Sequence, residues 1–144
     1  MFFSLFSSKN QKLVEHWSSD HIEIVSLANS VVSAYESGNN KYIHQTLETL
    51  KKVTIGHLME EDTELIDLLR DSKKLDRKLE KLIVEFRNTF KGAKTAVLVF
   101  LTKYTYDDAV YDENFIYDFK ELINVLGKRI DFEENNLYAK LKDN

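Results

Sequence analysis

The chain has 144 residues, with no proline, no cysteine and four glycines. Proline and glycine interrupt helices, so their scarcity favours long helices over a β fold with many turns. The absence of cysteine excludes a disulfide framework, a thiolate zinc site and an iron–sulfur cluster, and a net charge of −4 gives no electrostatic reason to expect nucleic-acid binding.

Apolar residues recur at spacings of three and four through most of the chain, which is the period of a helix with one buried face. Polar breaks at 37–40, at 70–73 and from 106 to 108 onward divide the chain into four segments of similar length. Because no linker separates these segments, we predict a single all-α domain over residues 1–144. Short connections make successive helices antiparallel neighbours, so the predicted fold is an up-down-up-down four-helix bundle.

Residues 1–9 open with the letters MFFSLF and are predicted to form an N-terminal arm. We expect the arm either to pack on its own bundle or to provide a hydrophobic contact for a partner or a membrane surface. No apolar stretch approaches the roughly 20 residues that a membrane span requires. We therefore predict no span, and a cytoplasmic location is the working assumption because a chain without cysteine suits a reducing compartment.

Each of the four predicted helices has one stripe of residues that faces inward. The first stripe consists of Trp17, His21, Ile24, Ala28, Val31 and Tyr35. The second consists of Leu50, Val53, His57, Glu61, Leu65 and Leu68. The third consists of Leu79, Ile83, Phe86, Phe90, Ala93, Val97, Phe100 and Tyr104. The fourth consists of Phe115, Phe119, Leu122, Leu126, Arg129, Glu133, Leu137 and Leu141.

Five polar residues interrupt these apolar stripes: His21, His57, Glu61, Arg129 and Glu133. Carboxylates are almost never fully buried unless they are paired or bind a metal, because the loss of hydration is costly. His57 and Glu61 lie one helical turn apart, and Arg129 and Glu133 repeat that spacing in the fourth helix. Imidazole and carboxylate together suit iron, zinc or manganese. The candidate metal ligands are therefore His21, His57, Glu61 and Glu133.

Each candidate also has a simpler interpretation. A lone histidine on an apolar face is more often a hydrogen-bonded core residue than a ligand. Glu133 with Arg129 alone is typical of an ion pair on a helix surface, worth a few tenths of a kcal/mol. Other titratable side chains near these positions are expected to be solvated, and they are His16, His44, Glu60, Asp62 and Glu134.

Four short segments, one in each predicted helix, share their order and spacing with the ligand segments of a known family. They read DHI at 20–22, HLMEED at 57–62, VEFR at 84–87 and RIDFEENNLY at 129–138. These segments resemble the hemerythrin-like, HHE cation-binding family. The resemblance implies a four-helix bundle whose di-iron centre has ligands from all four helices. Members of that family bind dioxygen or store and sense iron, oxygen or nitric oxide.

Two positions depart from the family pattern. Phe86 and Arg129 stand where the third and fourth helices normally supply histidines, and in the family those two positions bind the same iron. We hypothesise that the guanidinium of Arg129 occupies the space of that missing metal, because arginine stays protonated and binds carboxylates in a fork. Phe86 would seal the vacated side.

The positions of the other iron are retained. In the family it is bound at the positions matched by His21 and His57, and carboxylates matched by Glu61 and Glu133 bridge the two irons. The resemblance therefore implies at most one ion, iron with zinc or manganese as alternatives, in a sensor or carrier that has room for a small diatomic ligand. Reversible dioxygen binding of the hemerythrin kind draws on two irons and is not carried over.

Two further functions remain open. The chain could be a metal-free interaction or regulatory module in which Arg129 forms a buried salt bridge with the carboxylates. A homodimer or protein partner would then contact exposed aromatic residues in the phenylalanine-rich start or in the loop at 104–111. An enzyme is the third alternative, since two histidines and a carboxylate also occur in non-haem iron oxygenases. No nucleophile–base pair and no phosphate-binding glycine loop supports it, so we predict that the chain is not an enzyme.

Overall fold

The computed structural model describes residues 9–70 and 75–143, and this part of the chain contains helices and no strand. The helices are α1 (Lys9–Glu36), α2 (Asn40–Arg70), α3 (Arg77–Tyr104), α4 (Glu113–Phe132) and α5 (Tyr138–Lys142), with a π-helical turn at Glu133–Leu137 between the last two. Residues 1–8 of the predicted arm and residues 71–73 of the second predicted break lie outside the described residues. Residue 9 already belongs to α1.

The helices end where the local sequence directs them to end. Gly38 adopts φ of +68°, a left-handed conformation that lets the backbone turn away after α1. Asn39 then accepts a hydrogen bond from the backbone N–H of Tyr42 at 3.1 Å, which satisfies a free donor at the start of α2. Asp112 does the same for Phe115 at 3.0 Å at the start of α4. The breaks predicted at 37–40 and from 106 onward are confirmed.

Successive helices pack side by side, and α1 closes the ring against α4 and α5. The all-α bundle predicted from the sequence is confirmed. Every residue of the four predicted stripes is buried or partly buried, and the partly buried ones are Tyr35, Val53, Leu68 and Phe90. No helix in the described part of the chain combines the length and hydrophobicity that crossing a bilayer requires.

The apolar core consists of two clusters, one towards each end of the bundle. Along α1, His21 lies between Trp17 of one cluster and Ile24 of the other. The order is reversed along α4 and the π-helical turn, where polar positions separate Leu126 from Leu137. Because the helices are antiparallel, these midway positions meet at one level, which we call the polar layer. Its members are His21, His57, Glu61, Arg129 and Glu133.

The π-helical turn lies at the polar layer and was not apparent in the stripe pattern. The backbone N–H of Tyr138 donates to the carbonyl of Glu133, five residues earlier, where an α-helix would use a four-residue step. The wider turn changes which side chains face inward. Leu137, Tyr138 and Leu141 are consequently all buried, and Tyr138 joins the polar layer.

Candidate metal centre

The four candidate ligands converge within the polar layer. Each of His21, His57, Glu61 and Glu133 offers one nitrogen or oxygen atom such that all four atoms lie within 4.8 Å of one another. The side chains are almost completely enclosed, with exposed fractions of 4% for each histidine, 0% for Glu61 and 1% for Glu133. Three helical segments, α1, α2 and the π-helical turn, supply them.

The separations between the ligand atoms suit a single ion. Two ligands at about 2.1 Å from one ion lie ~3.0 to ~3.4 Å apart at angles between octahedral and tetrahedral values. The Nε2 atoms of His21 and His57 are 3.2 Å apart, and His57 Nε2 lies 3.3 Å from Oε2 of Glu61. The Oε2 atom of Glu133 is farther, at 3.7 Å from His21 Nε2 and 3.9 Å from His57 Nε2. The residues present therefore fit a metal ion in donor type, and their spacing fits one ion once the Glu133 carboxylate moves closer by a few tenths of an ångström.

Carboxylates outside the polar layer orient both histidines. The Nδ1–H of His57 donates to Oδ2 of Asp20 at 2.9 Å, and the Nδ1–H of His21 donates to Oε1 of Glu134 at 2.7 Å. Each ring therefore directs its Nε2 towards the cluster. A histidine whose other nitrogen donates to a carboxylate is characteristic of metal sites, because this bond fixes the tautomer and raises the basicity of the ligand nitrogen.

Asp20 and Glu134 were not among the residues predicted to form the site. Glu134 was expected to be solvated, and its side chain is 38% exposed, yet it contacts His21 directly. Asp20 precedes that histidine in the sequence and lies off the buried stripe. Neither residue belongs to a buried stripe. Their only signal in the sequence is that each adjoins a candidate ligand.

Arg129 contacts both carboxylates of the cluster. Its Nη2 donates to Oε1 of Glu61 at 3.0 Å, and its Nε donates to Oε1 of Glu133 at 3.3 Å. Its Cζ lies 4.8 Å from the centroid of the Phe86 ring. Since Arg129 is only 4% exposed, the interpretation of Arg129 and Glu133 as a surface ion pair is wrong.

The two carboxylates divide their oxygens in the same way. In Glu61 and Glu133 alike, Oε1 accepts from Arg129 and Oε2 faces the histidines. A carboxylate that bridges two cations places one oxygen on each of them. The guanidinium thus holds the side of both carboxylates that faces away from the histidines, as the hypothesis of a replaced metal requires.

Tyr138 is a further member of the cluster that the sequence did not indicate. Its hydroxyl oxygen lies 2.6 Å from Oε2 of Glu133, 2.9 Å from Oε2 of Glu61 and 3.3 Å from Nε2 of His21. It is therefore adjacent to three of the four candidate ligand atoms. The π-helical turn places it there, whereas the regular helical period favours Leu137 as the inward residue.

Burial and charge shift the pKa values of the cluster. Burial alone would lower the pKa of His57, but hydrogen bonds to Glu133 and Glu61 raise it to about 10. Burial likewise opposes protonation of His21, and Glu133 outweighs it, so the pKa of His21 is also raised. Burial and the Glu133 carboxylate raise the pKa of Glu61 to about 7. Without a metal, imidazolium charge therefore offsets the carboxylates.

Glu133 is held in the ionised form. Burial would raise its pKa, but hydrogen bonds from Glu61 and the histidines hold the pKa well below its usual range. Burial raises the pKa of Tyr138, and the two neighbouring carboxylates raise it further, so its hydroxyl keeps a proton to donate. Binding of a metal ion to the histidines must therefore release protons.

A small cavity of about 10 Å³ borders the cluster, lined by His21, His57 and Thr54 among others. A volume of this order is close to that needed for one water-sized molecule. The hydroxyl of Thr54 is buried and has no hydrogen-bond partner among the described residues. The cavity beside the cluster therefore has space for one small molecule and a hydroxyl, that of Thr54, to bind it.

Comparison with known proteins is consistent with this geometry. The family model of the Hemerythrin HHE cation binding domain matches residues 12–141, which include all four candidate ligands. Comparison with curated proteins and with solved structures gives no significant match. A match over nearly the whole chain, together with a helical bundle and a buried cluster of histidine and glutamate, confirms the resemblance. The chain belongs to the hemerythrin HHE cation-binding family.

Proposed function

We propose that the chain binds a single transition-metal ion through His21, His57, Glu61 and Glu133. Iron is the first candidate, with zinc and manganese as alternatives. The observation that carries the proposal is the convergence of the four ligand atoms within 4.8 Å. The orientation of both histidines by carboxylates supports it. A bound ion would supply a Lewis-acidic position for one small ligand.

The limit of one ion follows from Arg129. A second cation on the outer side of the carboxylates would have to displace the guanidinium from the Oε1 atoms of Glu61 and Glu133, at 3.0 and 3.3 Å. Two like charges a few ångströms apart repel each other strongly where little water separates them. Phe86 lies against the guanidinium and offers no ligand atom in the place of a histidine.

We further propose a sensor or carrier rather than an enzyme, located in the cytoplasm. The cavity that borders the cluster, about 10 Å³ in the described part of the chain, suits a diatomic ligand and is too small for an organic substrate. Thr54 supplies a hydroxyl that can hydrogen-bond to such a ligand. The hydrogen-bonding groups of the cluster hold the ligands in place and balance their charge. Their presence is explained without a catalytic role.

Metal content tests the proposal. We expect protein purified without chelators to carry about one ion per chain, and we expect His57→Ala to lose it. His44→Ala is the matched control, because His44 lies on the same helix but contacts Tyr111 instead of the cluster. Added iron or zinc should raise the thermal stability of the wild type in a concentration-dependent way. A metal content near zero, with stability indifferent to both metals, contradicts the proposal.

One observation favours a second candidate function, a metal-free interaction module. Arg129 and the Tyr138 hydroxyl already bond to both carboxylates, so the network can persist without an ion. A partner would then contact exposed residues such as Tyr106, which is 61% exposed, and Val110, at 68%. The phenylalanine-rich start lies outside the described residues. Light scattering of Tyr106→Ser with Val110→Ser, compared with the wild type, would show whether this loop mediates self-association.

A further inference from the structure

A second, larger cavity also borders Arg129, and neither histidine of the cluster lines it. Its volume is about 330 Å³, and it is bounded by α3 together with Asp62 of α2 and Arg129 of α4. Among the described residues, four cationic side chains line it, Arg87, Lys91, Lys94 and Arg129, together with one carboxylate, that of Asp62. The chain as a whole carries a net charge of −4, so this concentration of positive charge is local.

Two of these cations have no ion-pair partner in the described residues. Lys94 pairs with Asp62 at 2.7 Å, and Arg129 pairs with Glu61 and Glu133. Arg87 and Lys91, which we call the cationic rim, lie one helical turn apart on α3 and form no ion pair within residues 9–70 and 75–143. The rim therefore presents uncompensated positive charge to the cavity.

Arg129 adds a buried donor. Its Nε and Nη2 atoms make the two carboxylate bonds, whereas Nη1 bonds to no described residue. Arg129 lines this cavity as well as the small one beside the histidines. A guanidinium that already binds carboxylates can extend its planar fork to a further oxygen acid.

Apart from Asn88, the remainder of the lining is apolar. Val84, Phe86 and Phe90 form what we call the apolar wall of the cavity. A volume of about 330 Å³ lies at the small end of the range of ligand pockets, which is roughly 300–1,000 Å³. Cationic side chains and two aromatic rings in one cavity suit a molecule with an acid group and a hydrocarbon body.

We propose that this cavity binds a small organic anion, a carboxylate or a phosphate ester. Its acid group faces the cationic rim and Arg129, and its carbon skeleton contacts the apolar wall. The site is built from residues that the metal centre does not use as ligands. The proposal therefore stands whether or not a metal occupies the histidine cluster.

Calorimetric titration tests the proposal on the full chain, both as purified and after chelator treatment. The probes are benzoate and phenyl phosphate at constant ionic strength, and benzamide is the neutral control of matching shape. We expect both anions to bind in both preparations and benzamide to bind at least about tenfold more weakly. Inorganic phosphate, which lacks the carbon skeleton, should bind at least about fivefold more weakly than phenyl phosphate.

A matched pair of double variants locates the binding. Arg87→Ala with Lys91→Ala should raise the dissociation constant for benzoate about tenfold. Arg77→Ala with Lys81→Ala removes the same charges at the same spacing from exposed positions of the same helix that do not line the cavity. This control should change the constant by less than about twofold, because salt screens distant charges.

Four results would overturn the proposal. They are the absence of anion binding up to about 10 mM, equal binding of benzamide, equal binding of inorganic and phenyl phosphate, and an equal loss in the two double variants. None of them bears on metal content, so failure of anion binding is distinguishable from failure of the metal-binding proposal.

Discussion

Replacing Arg129 with methionine removes the cation that contacts both buried carboxylates. Methionine is similar in length and can keep an apolar stem against Phe86, so the loss of packing is small. The change therefore removes mainly the hydrogen bonds at 3.0 Å to Glu61 and 3.3 Å to Glu133. Without a metal, the two carboxylates would then lack their guanidinium in an environment that excludes water.

Removing one partner of a buried ion pair typically costs about 3–5 kcal/mol, because the remaining charge is buried without compensation. Two effects relieve part of this cost. Glu61 takes up a proton, since its pKa is already raised to about 7, and the imidazolium groups of His21 and His57 still face the carboxylates. We therefore expect a loss of about 3 kcal/mol in the free energy of unfolding at pH 7. In a domain of this size, that loss corresponds to a fall of roughly 10 °C in Tm.

Urea unfolding of chelator-treated protein, followed by circular dichroism, measures this loss. Lys128→Met is the matched control, because Lys128 is the neighbouring residue, is exposed and undergoes the same charge change. It should alter stability by less than about 0.5 kcal/mol. Added zinc should stabilise Arg129→Met more than the wild type, since the ion supplies the missing positive charge. If the two methionine variants unfold at the same urea concentration, Arg129 does not balance the carboxylates.

Three further predictions concern the residues around the cluster. Tyr138→Phe removes a hydroxyl that lies within hydrogen-bonding distance of both carboxylates. It should lower the free energy of unfolding, measured with urea, by about 1–3 kcal/mol. An unchanged urea midpoint would show that the hydroxyl is dispensable. The pKa of His57 is raised from 6.5 to about 10 in the folded protein. The contribution of His57 to the stability of chelator-treated protein should therefore be complete at pH 6 and be lost as the pH rises through about 10. A stability that does not change between these pH values would contradict the imidazolium–carboxylate network. Asp20→Asn and Glu134→Gln should each weaken metal affinity about 10- to 100-fold in a chelator competition assay. Glu60→Gln is the control, because Glu60 lies near the site but contacts His16. An equal loss of affinity in this control would mean that orientation of the histidines is not the cause.

The fold could be predicted because its determinants are local and repetitive. Apolar residues at helical spacing identify the buried face of each helix, and a turn such as that at Gly38 interrupts the pattern visibly. The π-helical turn at Glu133–Leu137 could not be predicted in this way. It inserts one residue into the hydrogen-bond ladder, and the surrounding stripe accommodates it without a break in hydrophobic spacing.

The candidate site was predictable to a similar extent and for a similar reason. His57 and Glu61 are conspicuous because they are polar residues on an apolar face. Asp20 and Glu134 lie beside that face. Only the orientation of the His57 and His21 rings in the structure shows that these two carboxylates accept hydrogen bonds from them. Tyr138 resembles an ordinary aromatic residue until the π-helical turn places its hydroxyl among the ligand atoms.

The most direct test of the central claim is a count of the metal ions bound per chain. Native mass spectrometry of chelator-treated protein titrated with ferrous iron or zinc provides that count. A single retained half-site predicts about one ion in the wild type and two in the variant that combines Phe86→His with Arg129→His. No ion in the wild type would contradict metal binding, and two would contradict the replacement of the second metal by Arg129. A double variant that still binds one ion would show that these two positions do not mark the lost half of the centre.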